Sequence, residues 1–307
     1  MTNLSVNFCG TQFKNPIVVA SGTFGNGQEY GEYYALGHLG GITSKAVTVQ
    51  PKQGNPTPRI VKTPGHSMLN AIGLQNNGLD YFVEHELPYL INVQCKSNTP
   101  VIVNISGESV QDYVTLAARL GDLVKFIELN ISCPNVKEGM LFGQDPELAA
   151  EVVAAVKAVS GQAKVIVKLT PNVTDITQIA QAVERAGADA ISLINTISAM
   201  RIDPKTGRIT LANRVGGLSG PAIFPIAVRC VWQVSNAVNL PIIGMGGVSS
   251  GENAVEMMRA GATLVGVGTA NFYDVDNRAA PRIIEELNQY CQQIHEKDVS
   301  ALIKTAY

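Results

Sequence analysis

Apolar residues along this chain come in short, dense, often β-branched runs, and each run gives way to a longer stretch with helical spacing. The runs predict strands near Ile17–Ala20, Gly41–Ser44, Val101–Ile105, Phe126–Asn130, Val165–Leu169, Ala190–Ile194, Ile242–Gly244 and Leu264–Val267. Between them, "PELAAEVVAAVKAVSG" (146–161) and "DITQIAQAVERAGA" (175–188) read as amphipathic helices. The first opens on Pro and Glu and closes on Gly161, the asymmetry expected of helix ends. Near-continuous apolar strands separated by helical crossovers fit a parallel sheet covered on both faces. Eight of them favour an α/β fold of the (β/α)8 TIM-barrel type over an open doubly wound sheet. The opening "LSVNFCGTQFKNP" predicts a small N-terminal β-hairpin that closes the barrel's bottom. No linker, low-complexity tract or internal repeat interrupts the pattern, so residues 1–307 read as one domain.

Composition narrows the class. Hydrophobic residues make up 46% of the 307, enough for a large core, and a net charge of −2 offers no footprint for nucleic acid or an anionic membrane. The N-terminal segment lacks a basic n-region and an apolar h-region, and no run of about 18 apolar residues occurs, so a soluble, cytoplasmic protein is expected. Five scattered cysteines (Cys9, Cys95, Cys133, Cys230, Cys291) fit reduced thiols, not a disulfide framework or a metal site. His38, His66, His85 and His295 show no ligand spacing, and Trp232 reads as a packing residue on a helix.

In a barrel the chemistry sits at the C-terminal strand ends and the loops that follow. Here those ends are Ser21-Gly22, Ser44-Lys45, Asn104, Asn130 to Cys133, Lys168, Asn195-Thr196, Gly246-Gly247 and Gly268-Thr269. Any one of them is an ordinary polar cap on a strand; eight in alignment are not. The turns in "GMGGVSSGENAVEMM" and "VGVGTANFYD" follow the seventh and eighth strands, where barrels commonly hold a phosphate against backbone N–H groups. Their spacing does not fit G-x-G-x-x-G with an acid about 20 residues on, which argues for a phosphate-bearing ligand other than a Rossmann dinucleotide. Glycines serving only tight turns are the alternative. Lys168, in "VIVKLTPN", is placed to form a Schiff base, to stabilise an anion or to make a buried salt bridge, and its position leaves all three open. Cys133 lies between Asn130 and Asn135, with Pro134 halting the strand. Its thiol is either an inert small hydrophobe or, with an ordinary pKa near 8.5, a base a modest shift away from neutrality. The following "KEGMLFGQDP", with Gly139 and Gly143, has the composition of a lid.

The segments "NAIGLQNNG", "NISCPNV", "VIVKLTPNVTDI", "SLINT", "GGLSGPAIFPIA" and "PIIGMGGV" together resemble the class 1 dihydroorotate dehydrogenases, in the family's order and over residues 4 to 290. The resemblance implies an FMN-containing barrel that oxidises (S)-dihydroorotate to orotate in pyrimidine biosynthesis. It makes Cys133 the general base that takes a proton from ring carbon 5, while carbon 6 gives hydride to the flavin. It implies FMN binding by Ser21, Lys45, Ala46, Asn104, Asn130, Lys168, Ile194, Gly220, Gly246, Gly247, Gly268 and Thr269. Lys168 would offset the negative charge of the reduced ring. Substrate would be held by Lys45, by Asn70 and the segment Ala71, Ile72, Gly73, Leu74, and by Asn130, Asn135, Asn195 and Thr196. Within the family, "NVKEGMLFGQDPE" resembles class 1B, which passes electrons to NAD through a partner subunit carrying FAD and an iron–sulfur cluster, around a homodimeric core in a heterotetramer. The fumarate-using class 1A typically has a Pro-Gly-Lys-Pro-like stretch there, and class 2 uses a serine base with a membrane-associated segment. Gly139-Met140 departs from the Gly-Gly of many relatives, which bears on lid motion and not on the assignment.

Three other readings compete. A Schiff-base aldolase barrel would use Lys168 but leave Cys133 and the amides without a task. A flavin barrel acting on tRNA uridine would want a basic face that the charge balance does not provide. A non-catalytic ligand-binding barrel is the third.

Overall fold

The computed structural model describes residues 2–132 and 142–307. Eight parallel strands close into a barrel: β1 (Ile17–Val19), β2 (Gly41–Thr43), β3 (Val101–Ile105), β4 (Phe126–Asn130), β5 (Lys164–Lys168), β6 (Ala190–Leu193), β7 (Ile242–Met245) and β8 (Leu264–Val267). Neighbours in sequence are neighbours in the barrel, and β8 pairs with β1 to complete it. All eight strands expected from the apolar runs are present, with ends shifted by a residue or so. The strands are buried almost throughout because helices cover their outer faces while their own side chains fill the interior.

Local chemistry sets the helix boundaries. Asp145 caps Pro146–Lys157 by accepting from the N–H groups of Glu147 and Leu148, and Asp175 caps Ile176–Arg185. Ser109 and Ser250 do the same for Val110–Leu120 and Gly251–Ala260. Pro146 stands in the first helical turn, as expected, but Gly161 does not end its helix. That helix stops at Lys157, and Gly161 takes its left-handed φ of +56° in the turn beyond. Trp232 lies on helix Phe224–Ala237 yet is half exposed, so it is not the core packing residue the sequence implied.

The predicted hairpin exists as Val6–Phe8 and Thr11–Phe13, turning through Cys9 and Gly10, both at positive φ. Phe8 and Phe13 are fully buried and meet Phe126 at ring-centroid distances of 6.1 and 5.8 Å. Phe126 begins β4, so the hairpin plugs the N-terminal end of the barrel. The contact also sets direction within β4: Phe126 faces inward, and the period of two then turns Glu128 and Asn130 inward above it.

The apolar pattern did not anticipate a four-stranded antiparallel sheet, in the order Ile197–Ala199, Gly216–Ser219, Ser67–Asn70, Ile60–Thr63. Its strands come from the long connections after β2 and β6. They are only three or four residues long; Ile60–Thr63, Ile197–Ala199 and Gly216–Ser219 are part exposed, and "GGLS" is glycine-rich, so they carry no continuous apolar run. This sheet extends the chain directly from the C-terminal end of β6.

At the base, Asp189 ties three segments together. Its carboxylate accepts from Lys157 Nζ at 2.6 Å, Lys164 Nζ at 3.1 Å and the Val165 N–H at 2.9 Å. Burial works against its ionisation, but the hydrogen bonds from Lys157, Val165 and Lys164 outweigh it and hold the carboxyl below the ordinary range. A carboxyl depressed in the folded state contributes stability above the unfolded pKa of about 3.9, and loses it as pH falls through the folded value. Asp189→Asn should therefore cost about 1–3 kcal/mol near neutrality, with the deficit against wild type closing below about pH 4. Urea unfolding of both proteins at several pH values measures this.

Candidate active site

Four buried polar side chains stand on four consecutive strands inside the barrel: Asn104 on β3, Glu128 on β4, Lys168 on β5 and Ser192 on β6. Asn104 Nδ2 donates to Glu128 Oε2 at 2.5 Å, and Ser192 Oγ donates to Oε1 at 2.7 Å. Lys168 Nζ lies 3.9 Å from Glu128 Oε2, with the two side chains only 6% and 1% exposed. Of the three uses open to Lys168, a salt bridge is present. It does not exhaust the ammonium, which has three protons to donate.

Carboxylate oxygens only accept, so the Asn104 amide must turn its NH2 toward Glu128 and its Oδ1 away. Oδ1 is buried and has no partner among the described residues. Leaving a buried acceptor unpaired costs about 1–3 kcal/mol. A ligand N–H would remove that cost, so the Asn104 acceptor and the Lys168 donor suit a ligand edge that alternates N–H with C=O.

A second group forms where β4 and β6 end. Asn130 Oδ1 accepts from Ser132 Oγ at 2.6 Å and from Asn195 Nδ2 at 3.4 Å, and Asn195 Nδ2 also donates to Ser132 Oγ. The Asn130 carbonyl is fixed from behind by the Tyr113 hydroxyl at 2.8 Å. Asn195 Oδ1 accepts from the Thr196 N–H, and Asn172 Nδ2 donates to the Thr196 carbonyl. The antiparallel sheet adds the next member. Asn70 pairs in register with Gly217, which packs so closely on Thr196 that a Cβ there would lie 2.1 Å from Thr196 Oγ1. Asn70, Asn130, Asn195 and Thr196 thus form one connected surface. The adjoining segment Ala71 to Leu74 bends through positive φ at Gly73 and Leu74, and is anchored where the Ala71 N–H donates to the Arg59 carbonyl at 2.8 Å. Lys45 follows β2, its N–H held by Asn26 Oδ1, while Asn26 and Asn77 both donate to Glu86.

A third group is made of turns. Gly220, Gly246 and Gly247 have φ of +96°, +125° and +80°, and neighbours occupy the space a side chain would need. A Cβ on Gly247 would lie 2.7 Å from the Gly220 carbonyl oxygen, and one on Gly246 3.1 Å from Ile194. Thr269 Oγ1 donates to Ser219 Oγ at 2.9 Å, which joins the β8 end to the same place. Ser21 follows β1, tied to β8 by the Ala20 N–H donating to the Val267 carbonyl, and Ala46 is buried beside Lys45. Gly268 differs: its φ is −116° and a Cβ would meet nothing closer than 3.7 Å, so space does not demand glycine there. Backbone N–H groups gathered at glycine turns make an anion cradle.

The expected base Cys133 and the amide Asn135 lie outside the described residues, as do residues 137–141 of the expected lid. The described residues contain no cluster of three or more His, Cys, Asp or Glu able to hold a metal. Sequence reasoning passed over Glu128, Ser132, Asn172 and Ser192. For Glu128 a signal existed: a charged residue in the middle of "FIELN", a strand otherwise apolar up to its terminal asparagine.

The family model for dihydroorotate dehydrogenase matches residues 3–291. The chain belongs to the dihydroorotate dehydrogenase family. It is 54% identical over 304 residues to a protein of Geobacter sp. (strain M21) named dihydroorotate dehydrogenase B (NAD(+)), catalytic subunit, covering 98% of this chain and 97% of that one. A protein of the same name from Lachnoclostridium phytofermentans is 52% identical over 303 residues, 98% of either chain. The crystal structure of a ligand-free dihydroorotate dehydrogenase from Eimeria tenella superposes with a TM-score of 0.83 at 24% identity, covering 99% of this chain and 91% of that one, and shares its fold. None of the described helices is long and apolar enough to cross a membrane.

FMN, the flavin this family implies, suits the residues present. The glycine cradle offers N–H groups to a phosphate, and Asn104 and Lys168 offer the acceptor and donor that a flavin's pyrimidine edge requires. Gly247→Ala tests the cradle. The added methyl collides with the Gly220 carbonyl and needs a φ that L-residues disfavour by about 1–2 kcal/mol. FMN should bind at least about tenfold more weakly, measured by flavin fluorescence titration, with far-ultraviolet circular dichroism unchanged.

Proposed function

We infer that this chain is the catalytic subunit of an NAD-linked dihydroorotate dehydrogenase, which oxidises (S)-dihydroorotate to orotate in pyrimidine biosynthesis. The observation that carries the reading is identity above 50% over nearly the whole chain to proteins of that name. That name places the chain with the NAD-linked class 1B and not with the fumarate-using class 1A.

Bound FMN supplies a two-electron acceptor for the hydride on carbon 6 of dihydroorotate. Everything else falls to the chain. Asn70, Asn130, Asn195, Thr196 and Asn135 hold the substrate's carboxylate and ring amides, with the Ala71 to Leu74 segment against them. The hydrogen bonds among Asn130, Ser132, Asn195 and Thr196 keep these groups oriented before substrate arrives, which lowers the cost of binding. Lys45 would reach both the flavin ring and the substrate. Cys133 takes the proton from carbon 5, so that one proton and one hydride leave adjacent carbons and the C5–C6 double bond of orotate forms. Lys168 would offer a fixed positive charge to the negative charge a reduced flavin carries. Ser21, Ala46, Ile194, Gly220, Gly246, Gly247, Gly268 and Thr269 complete the flavin's enclosure.

The name "catalytic subunit" carries with it a second subunit. We assign FAD and an iron–sulfur cluster to that partner, and a homodimeric core to the catalytic chains. One hydrophobic cluster running from Val6 to Leu302 supports treating residues 1–307 as a single domain. The charge balance and the absence of a membrane-length helix among the described residues fit a cytoplasmic enzyme.

The test is an anaerobic titration of FMN-loaded chain with dihydroorotate. The flavin's visible absorption should bleach, with one orotate formed per flavin. Bound flavin that dihydroorotate does not bleach would overturn the reading.

A further inference from the structure

We propose that Glu128 is a positioning residue for the flavin site: it orients the Asn104 amide and offsets the charge of Lys168, and so sets how strongly the protein favours reduced over oxidised flavin. The inference rests on the FMN reading above and concerns a residue with no other task there.

A carboxyl side chain with 0% exposure inside a barrel, beside a buried lysine, needs a reason. Glu128 is buried, and its partners number three. Oε2 takes the Asn104 amide and lies nearest the Lys168 ammonium, while Oε1 takes the Ser192 hydroxyl. Each partner comes from a different strand, so the carboxylate is the centre of the network and the others are its periphery. An apolar side chain of similar volume would fill the same space without desolvating a charge.

Two consequences follow from this placement. The first is orientation. Only an acceptor at the Glu128 position obliges Asn104 to turn Oδ1 away from the network, where it stands buried and unpartnered. Without it the amide is free to flip and offer a donor where the ligand requires an acceptor. The second is charge. Lys168 alone would place a full positive charge beside the ring, and Glu128 at 3.9 Å brings the pair close to neutral. Reduction adds negative charge to the flavin, so an uncompensated lysine would hold the reduced form too tightly for electrons to pass on.

Glutamine at position 128 separates the two effects. Its amide oxygen can still accept from Asn104, and its NH2 can face Ser192, but the negative charge is gone. In E128Q, oxidised FMN should bind within about threefold of wild type. Reduced FMN should bind at least about tenfold more tightly, since removing a buried unit charge at an effective dielectric near 20 acts on the negative charge that reduction adds. The bound flavin's potential then rises by about 30 mV for each factor of ten in a two-electron couple. E128L should weaken oxidised FMN at least about tenfold, because Asn104 is no longer held. K168M should shift the ratio the other way, toward oxidised flavin. S192A keeps every charge but removes a hydroxyl that shields the carboxylate, and should favour oxidised flavin by about threefold.

The measurements are flavin titrations of both redox states and spectroelectrochemical potentials, so turnover is not involved. Bound FMN with an E128Q ratio within about twofold of wild type overturns the inference and leaves the functional reading standing. Should E128Q fail to fold, S192A decides, and an unmoved ratio there overturns the inference equally. Failure of the wild-type chain to bind FMN at all removes both.

Discussion

Exchanging Cys133 for serine slows reduction of the bound flavin by dihydroorotate by roughly 10²–10⁴-fold near neutrality, the usual consequence of losing a positioned base. FMN stays bound, because none of the glycine turns, Asn104 or Lys168 is touched. The size of the effect follows from acidity. A cysteine thiol has an ordinary pKa near 8.5, within reach of ambient pH, whereas a serine hydroxyl ionises far above it. Serine can act as a base when a neighbour activates it, and the segment Asn130 to Val136 contains no histidine to do so. Wild-type reduction should accelerate as pH rises through the thiol's pKa. The serine variant should show no plateau in the same range. Stopped-flow flavin reduction under anaerobic conditions reports both, and a serine variant within about threefold of wild type would move the proton transfer to another group.

What the sequence made legible, and what it did not, divides along a physical line. Strands such as "VIVNI" and "KVIVK" are buried on both faces by the barrel and its helices, so burial writes itself into the sequence as an unbroken apolar run. The polar ends of those strands were readable for the same reason, since Asn104, Asn130 and Lys168 interrupt an otherwise apolar pattern. Relations between strands were not readable. Nothing in the order of residues says that Glu128 bonds Asn104 and Ser192 while lying against Lys168, contacts set by strand register. The sheet that carries Asn70 to Gly217 and Thr196 was also silent, because its strands are three or four residues long and mostly part exposed, too short for an apolar run. The roles of Cys133 and Asn135 rest on their motif alone. The glycine turns divide in the same way: Gly246 and Gly247 are obliged by φ and crowding, whereas Gly268 carries no such requirement.

The other large effect concerns where the electrons go. FMN-loaded chain on its own should be reduced by dihydroorotate once and then turn over with NAD negligibly. The reason lies in what the chain holds. It has five cysteines, and four of them, Cys9, Cys95, Cys230 and Cys291, are free thiols that form no metal-binding cluster. An iron–sulfur centre needs four cysteine ligands, or cysteines with histidines, gathered together, and the described residues hold no such group. No G-x-G-x-x-G fingerprint follows any of its strands. The glycine cradle is assigned to the FMN phosphate, and in the proposed site dihydroorotate would take the face of the ring that a nicotinamide would have to approach. The hydride that enters the flavin therefore has no direct path to NAD within this chain. The partner proposed above, carrying FAD and an iron–sulfur cluster, would supply one. Adding that partner should raise NAD-linked turnover from background to the 1–10³ s⁻¹ range typical of enzymes, roughly. The comparison is steady-state NADH formation by the chain alone and by the reconstituted complex, with fumarate offered to each in parallel. Full NAD-linked turnover by the isolated chain would refute the need for a partner. Efficient turnover with fumarate would instead place the enzyme in class 1A.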